Sequence, residues 1–183
     1  LRIEPDASGA TYFWGAAALC PGACVRIEGL GRDSLQADSD FPELVLSRLG
    51  AEVEHGFDEA GTPFIGVRGG PFLRPVIADM SDMPDAAVTL AVLAAFARGP
   101  SVVRGVRTLR VKESDRIAAL ATELAKIGVR VESPVAGDDD AMTVTPPEGG
   151  VDCSPGAPPV AFATYDDHRI AMALALVALK RPG

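Results

Sequence analysis

Cations sit where helices begin. Lys112 and Arg116 bracket Glu113, Ser114 and Asp115 at the start of one helical pattern. His168 and Arg169 follow Asp166 and Asp167 at the start of another. A helix N-terminus carries partial positive charge and favours acidic neighbours, so a cation there normally costs a few tenths to about 1 kcal/mol. Cations and free backbone N–H groups gathered at such a point make a site for an anionic ligand. The plainer reading is that Ser114 or Asp115 caps one helix, Asp166 or Asp167 caps the other, and the basic residues pair with the caps. Spacing alone leaves both open. Glu113, beside two cations, is either a salt-bridge partner or a proton-transfer group whose pKa its surroundings tune. A third start, Asp82-Met-Pro-Asp85, puts Pro84 in the first turn and an Asp at the cap. Asp85 could equally be a first-turn carboxylate that stabilises the helix dipole.

Three nearly charge-free helices and their companions position these groups. The segment Leu46-Ser-Arg-Leu-Gly-Ala-Glu-Val-Glu54 returns as Leu124-Ala-Lys-Ile-Gly-Val-Arg-Val-Glu132. Each copy reads as a helix end, a Gly stop and a strand start. Val25-Arg-Ile-Glu-Gly29 has its counterpart in Val102-Val-Arg-Gly-Val106, and the Ala-rich stretch 10–19 matches 88–97. A third copy begins at Asp167 with another Ala-rich helix, 170–179, and stops at Gly183 without strands. The unit is therefore helix, strand, helix, strand, strand. Its first helix is apolar all round and belongs inside; its second, 42–49 or 115–127, shows one face to water. Short β-branched runs at 25–27, 64–67, 75–80, 102–106, 130–132 and 142–145 are the predicted strands, with surface loops at 138–140 and 155–159. A period of about 80 residues is too long for a solenoid and points to pseudo-symmetric packing of about three units. The expected class is α/β, an inside-out, barrel-like domain with buried central helices and sheets outside. Residues 1–183 are read as one domain.

The 183 residues are 48% hydrophobic and 23% charged, and 17 basic against 25 acidic residues give a net charge of −8. That balance argues against a general nucleic-acid binder, so any anion site must be a local cluster set against the overall field. The longest apolar runs fall short of the roughly 20 residues that a membrane-spanning helix needs. With Cys20, Cys24 and Cys153 and only His55 and His168, neither a disulfide framework nor a zinc site is supported. The cysteines are expected as buried small hydrophobes, in a reducing cytoplasm. The N-terminal stretch has no secretion-signal pattern and starts at Leu1, so a longer parent chain is expected.

Four ordered motifs then carry a resemblance. They are Asp6-Ala-Ser-Gly-Ala-Thr-Tyr-Phe13, Asp79-Met-Ser-Asp-Met-Pro-Asp-Ala-Ala87, Leu109-Arg-Val-Lys-Glu-Ser-Asp-Arg-Ile117 and Thr164-Tyr-Asp-Asp-His-Arg-Ile-Ala-Met172. Together they resemble the 5-enolpyruvylshikimate-3-phosphate (EPSP) synthase family, 3-phosphoshikimate 1-carboxyvinyltransferases, across the whole chain. The family fold, two inside-out α/β domains of three βαβαββ units each, is consistent with the repeat. The resemblance implies that Asp85 takes the proton of the shikimate 5-hydroxyl and Glu113 gives one to the methylene carbon of phosphoenolpyruvate (PEP). It also implies that Lys112 and Asp85 contact shikimate 3-phosphate while Arg116 and Arg169 hold PEP, with no metal or organic cofactor. Guanidiniums suit a ligand bearing both a carboxylate and a phosphate.

The departures are informative. The family's Ser-Ser-Gln loop, N-terminal Lys and late Lys have no counterpart here, and Thr108 stands where some members carry Asn. The resemblance thus implies most of the PEP-side half of a longer enzyme, whose partner is the missing N-terminal domain. The isolated chain is expected to be inactive. The alternatives are an enolpyruvyl transferase for a sugar nucleotide, which lacks the two most specific motifs, or a non-catalytic anion-binding module on the same scaffold.

Overall fold

Charge-free alanine-rich runs form the central helices of the computed structural model, which describes residues 3–181. The outermost ends of the expected 1–183 domain, including Gly183, lie outside the described residues. The first unit runs α1 (Ala7–Leu19), β1 (Cys24–Glu28), a π-helical turn Pro42–Leu46 that continues as α2 (Ser47–Leu49), β2 (Glu52–Phe57) and β3 (Pro63–Arg68). The second runs β4 (Ile77–Asp79), α3 (Ala86–Ala94), β5 (Ser101–Arg104), α4 (Arg116–Ala125), β6 (Arg130–Glu132) and β7 (Ala141–Thr145). A third begins with α5 (His168–Ala175), extended by a 3-10 turn over Leu176–Leu179. The helix–strand–helix–strand–strand order expected from the repeat is present twice, with β4 ahead of the second copy.

The sheets repeat as well. Antiparallel β1-β3-β2 matches β5-β7-β6 strand for strand, and β4 adds to β5 in parallel. The chain is thus a mixed α/β protein, and among the described residues the two sheets do not close into a barrel.

Helix α3 is buried along its whole length, and α1 over most of its own. An all-apolar helix has no face that water stabilises, so it lies where neighbours cover every side. The two meet at matched places: the hydroxyls of Thr11 and Thr89, 78 residues apart, lie 3.1 Å from each other in the core. Gly15 permits the close approach, because a Cβ there would stand 3.0 Å from the Thr89 methyl. The Gly stops are left-handed as expected, with φ 106° at Gly50 and 81° at Gly128.

Three expectations need correction. Helix α5 is amphipathic rather than buried all round: Ile170, Ala173 and Leu174 face the core while Met172 is exposed. Its flank borders a groove of about 320 Å³ lined by Val160, Phe162, Ala171 and Ala175. The cysteines are not buried hydrophobes. Cys20 and Cys153 are half-buried and Cys24 is exposed, alternating outward with Arg26 and Glu28 on β1. Lastly, Pro84 lies ahead of α3 rather than in its first turn, leaving Asp85 at the cap position.

Candidate active site

One aspartate precedes each central helix. Asp6, Asp85 and Asp167 stand at the cap positions of α1, α3 and α5. Asp6 accepts from the backbone N–H of Ser8 and Asp167 from that of Arg169, as caps do. Asp85 makes no such bond. Its carboxylate turns to three cations instead: Arg116 at 2.9 Å, Arg169 at 3.2 Å and Lys112 Nζ at 3.3 Å.

Arg116 is the hub. It opens α4, whose cap is Asp115 rather than Ser114, and its side chain is 1% exposed. Nε donates to Asp167 Oδ2 at 2.8 Å, one terminal nitrogen to Asp85 and the other to Glu113 Oε2 at 2.5 Å and to Asp167 Oδ1 at 3.2 Å. Asp167 is just as buried and also accepts from Ser114 Oγ at 2.9 Å. Burial alone would push the Asp167 carboxyl pKa up, but the Arg116 and Ser114 hydrogen bonds and the Arg116 charge reverse that, and the net shift is downward. For Arg116, burial works against the charged form, yet Asp167, Glu113 and Asp85 bring the pKa above its usual value. Both groups are ionised at neutral pH, as a buried charge must be when its partner is also charged.

The sequence-predicted site residues therefore meet. Asp85, Lys112, Glu113, Arg116 and Arg169 form one connected network, with Asp167 as its buried anchor. Of the two readings open for the helix-start cations, pairing with a cap describes Arg116, which takes the cap of a different helix. Arg169 and Lys112 keep partial access to solvent, at 17% and 32% exposure. Asp166 and His168 are exposed and stand outside the ion pairs. Thr108 is exposed in the 3-10 turn Arg107–Val111. Helices α4 and α5 are not equivalent members of the repeat, since α4 is the second helix of its unit. Their starts converge through Arg116 all the same.

Sequence reasoning gave no role to three further groups. Tyr12, on α1, feels the charges of Arg169, Arg116 and Asp85. Asp38, in the 3-10 turn Ala37–Asp40, bonds to Ser8 Oγ, and burial raises its pKa against that bond and the pull of Arg169. Buried Glu123 on α4 accepts from Lys126 Nζ at 2.6 Å, Ala163 N at 2.8 Å and Tyr165 Oη at 2.8 Å. It thereby anchors the segment before α5, where Tyr165 and Asp166 both have left-handed backbone, φ 57° and 53°. Tyr12 lies within a motif quoted above, whereas Asp38 and Glu123 carry no local signal.

A repeated α/β unit that focuses cations and carboxylates at helix starts defines a class of domain, and comparison with known proteins defines the family. Residues 1–182 match the profile of EPSP synthase (3-phosphoshikimate 1-carboxyvinyltransferase), and the chain belongs to that family. It is 44% identical, over its whole length, to the 3-phosphoshikimate 1-carboxyvinyltransferase of Nitrosomonas europaea and covers 39% of that protein. The corresponding protein of Burkholderia cenocepacia is 46% identical over 98% of this chain, which covers 38% of it. Among solved structures, an EPSP synthase from Acinetobacter baumannii superposes with a TM-score of 0.75 at 28% identity, over 99% of this chain and 41% of that one. The enolpyruvyl transferase NikO from Streptomyces tendae superposes at 0.65 with 26% identity, over 100% and 38%. The chain thus spans about two fifths of the length of these relatives.

Proposed function

We propose that this chain is the PEP-side part of an enzyme that transfers the enolpyruvyl group of PEP to the 5-hydroxyl of shikimate 3-phosphate and releases phosphate. The observation that carries the reading is Asp85, a carboxylate at a helix start that spends itself on Lys112, Arg116 and Arg169 instead of capping. In the chemistry, the hydroxyl oxygen attacks C2 of PEP while Asp85 accepts the hydroxyl proton. Glu113 protonates the methylene carbon to a methyl group, giving a tetrahedral ketal. Loss of a methyl proton and of phosphate then restores the vinyl group on the new C–O bond. Arg169 and Lys112, the accessible cations, bind the incoming anions. Arg116 is held by Asp167 and reaches the ligand from its Asp85 and Glu113 side.

The same reading extends to the domain. Buried α1 and α3, each under its own sheet, and the amphipathic α5 with an open groove fit three βαβαββ units in an inside-out arrangement. We place the parent enzyme in the cytoplasm, where three unpaired cysteines are stable. Its other wall, with the remaining substrate groups, would come from an N-terminal domain.

Phosphate release from PEP plus shikimate 3-phosphate, measured on the parent protein, tests the reaction. Asp85→Ala and Glu113→Gln are expected to lower kcat by about 10² to 10⁴, as proton-transfer groups do, and Arg169→Ala to raise KM for PEP. A Glu113→Gln enzyme within about twofold of wild type returns Glu113 to a salt-bridge role. Turnover only with a different acceptor, such as a sugar nucleotide, selects the neighbouring enolpyruvyl transferase reading that likeness to NikO keeps open.

A further inference from the structure

Tyr12 is buried, 5% exposed, and its hydroxyl has no hydrogen-bond partner. Of the buried side-chain atoms left unpaired among the described residues, His55 Nδ1 and Arg181 are the others, and neither belongs to the ion-pair network. Native structures seldom leave a buried hydroxyl unpaired without a reason. The Arg169 guanidinium approaches the Tyr12 phenol oxygen as a donor, and that approach and its charge both oppose the effect of burial, although the pair stays outside strict hydrogen-bond geometry. Burial prevails and the phenol pKa stays above its usual 10.0, so the O–H proton is in place at neutral pH. A guanidinium has no acceptor for that proton. The acidic group that shares this corner, Asp85, already serves Lys112, Arg116 and Arg169.

We infer that the Tyr12 hydroxyl is a further ligand of the anion site, donating a hydrogen bond to the phosphate or carboxylate group that Arg169 holds. The arrangement is a donor waiting beside a cation. An anion that takes Arg169 from Asp85 brings the acceptor that Tyr12 lacks. Helix α1 would thus add to the site a neutral contact that orients the anion, where Arg169 attracts it through charge. The inference rests on the anion-site reading proposed above.

The two roles open to Tyr12 have effects of opposite sign. Tyr12→Phe keeps the ring and removes an unpaired buried hydroxyl, so the melting temperature of the unliganded chain should rise, by about 2–4 °C. Affinity for PEP, and for inorganic phosphate as a second probe, should fall about tenfold, the usual effect of losing a hydrogen bond to a charged group. Nuclear magnetic resonance titration of the chain measures the affinity, with Arg169→Ala as the control. If Arg169→Ala weakens binding while Tyr12→Phe stays within twofold of wild type, Tyr12 is not a ligand and the site stands. If both melting temperature and affinity fall in Tyr12→Phe, the residue acts through packing and the inference is overturned. If the wild-type chain binds neither probe, or Arg169→Ala binds as well as wild type, the anion-site reading itself fails and takes this inference with it.

Discussion

Asp6, Asp85 and Asp167 occupy one position in the repeat, immediately before a central helix, and their surroundings divide the work. Asp167 anchors Arg116 in the interior, where removing one member of a buried ion pair leaves an uncompensated charge. Asp167→Ala is expected to destabilise the chain by about 3–5 kcal/mol in urea unfolding. Because its folded-state pKa lies below the usual 3.8, the stability it contributes is present above that value and lost as pH falls through the lowered one. The difference between wild type and variant should therefore shrink on acidification. Asp38 has the opposite sign. Its pKa is raised by burial, so its charge costs stability at neutral pH and the cost fades as pH falls through the raised value towards 3.8. Asp38→Asn, which preserves an acceptor for Ser8, should raise the melting temperature at pH 7 and make little difference in strong acid. A stabilisation independent of pH would mean that packing, not charge, is what the substitution relieves.

At the scale of elements, what the sequence announced was local. The Gly stops at Gly50 and Gly128, the charge-free runs of α1 and α3 and the short β-branched strands all depend on neighbours within a few positions. They were legible to within a few residues. What depends on distant partners was not. Arg116 finds Asp167 across 51 residues and Glu123 finds Tyr165 across 42, so no periodicity in either stretch marks them as pairs. Helix α5 reads as buried from its composition but is amphipathic in place, because burial depends on which sheet covers it. The Glu123 clamp leads to a prediction about one segment. Left-handed backbone at Tyr165 and Asp166 is strained, of order 1–3 kcal/mol each, and persists only where the surroundings hold it. Glu123→Ala removes the acceptor of both Ala163 N–H and Tyr165 Oη. Amide hydrogen exchange at Ala163 and Asp167 should accelerate selectively, with α1 and α3 still protected. Glu123→Gln, which can still accept one of these bonds, should recover part of the protection. Uniform acceleration through the whole chain would instead make Glu123 a residue of global stability.

For the whole molecule, the contrast that matters is between the net charge of −8 and the cations gathered around Asp85. The motifs disclosed which residues would meet and left open whether carboxylates would neutralise them, and in the structure Arg116 alone has three acidic partners. The site is therefore closed on itself in this chain, and an anion must compete with Asp85 for Arg169 and Lys112. Competition of that kind, with the other wall of the cleft proposed to lie in a second domain, leaves only weak binding, in the millimolar range, or roughly 4 kcal/mol. Two near-complete units bury their central helices, so the chain should unfold cooperatively on heating while releasing no phosphate from PEP plus shikimate 3-phosphate. Turnover by the isolated chain would overturn the proposed division of the site between two domains. Raising monovalent salt to about 1 M shortens the screening length to about 3 Å and should weaken phosphate binding at the partly accessible Lys112 and Arg169. The Arg116–Asp167 pair is buried and should be screened much less, so the melting temperature should change little over the same range. Backbone amides near Ser114 and Arg169 should shift together during the phosphate titration and lose their response together as salt rises. If one segment responds to phosphate while the other does not, the two helix starts do not share a site, and the cations around Asp85 serve the fold alone.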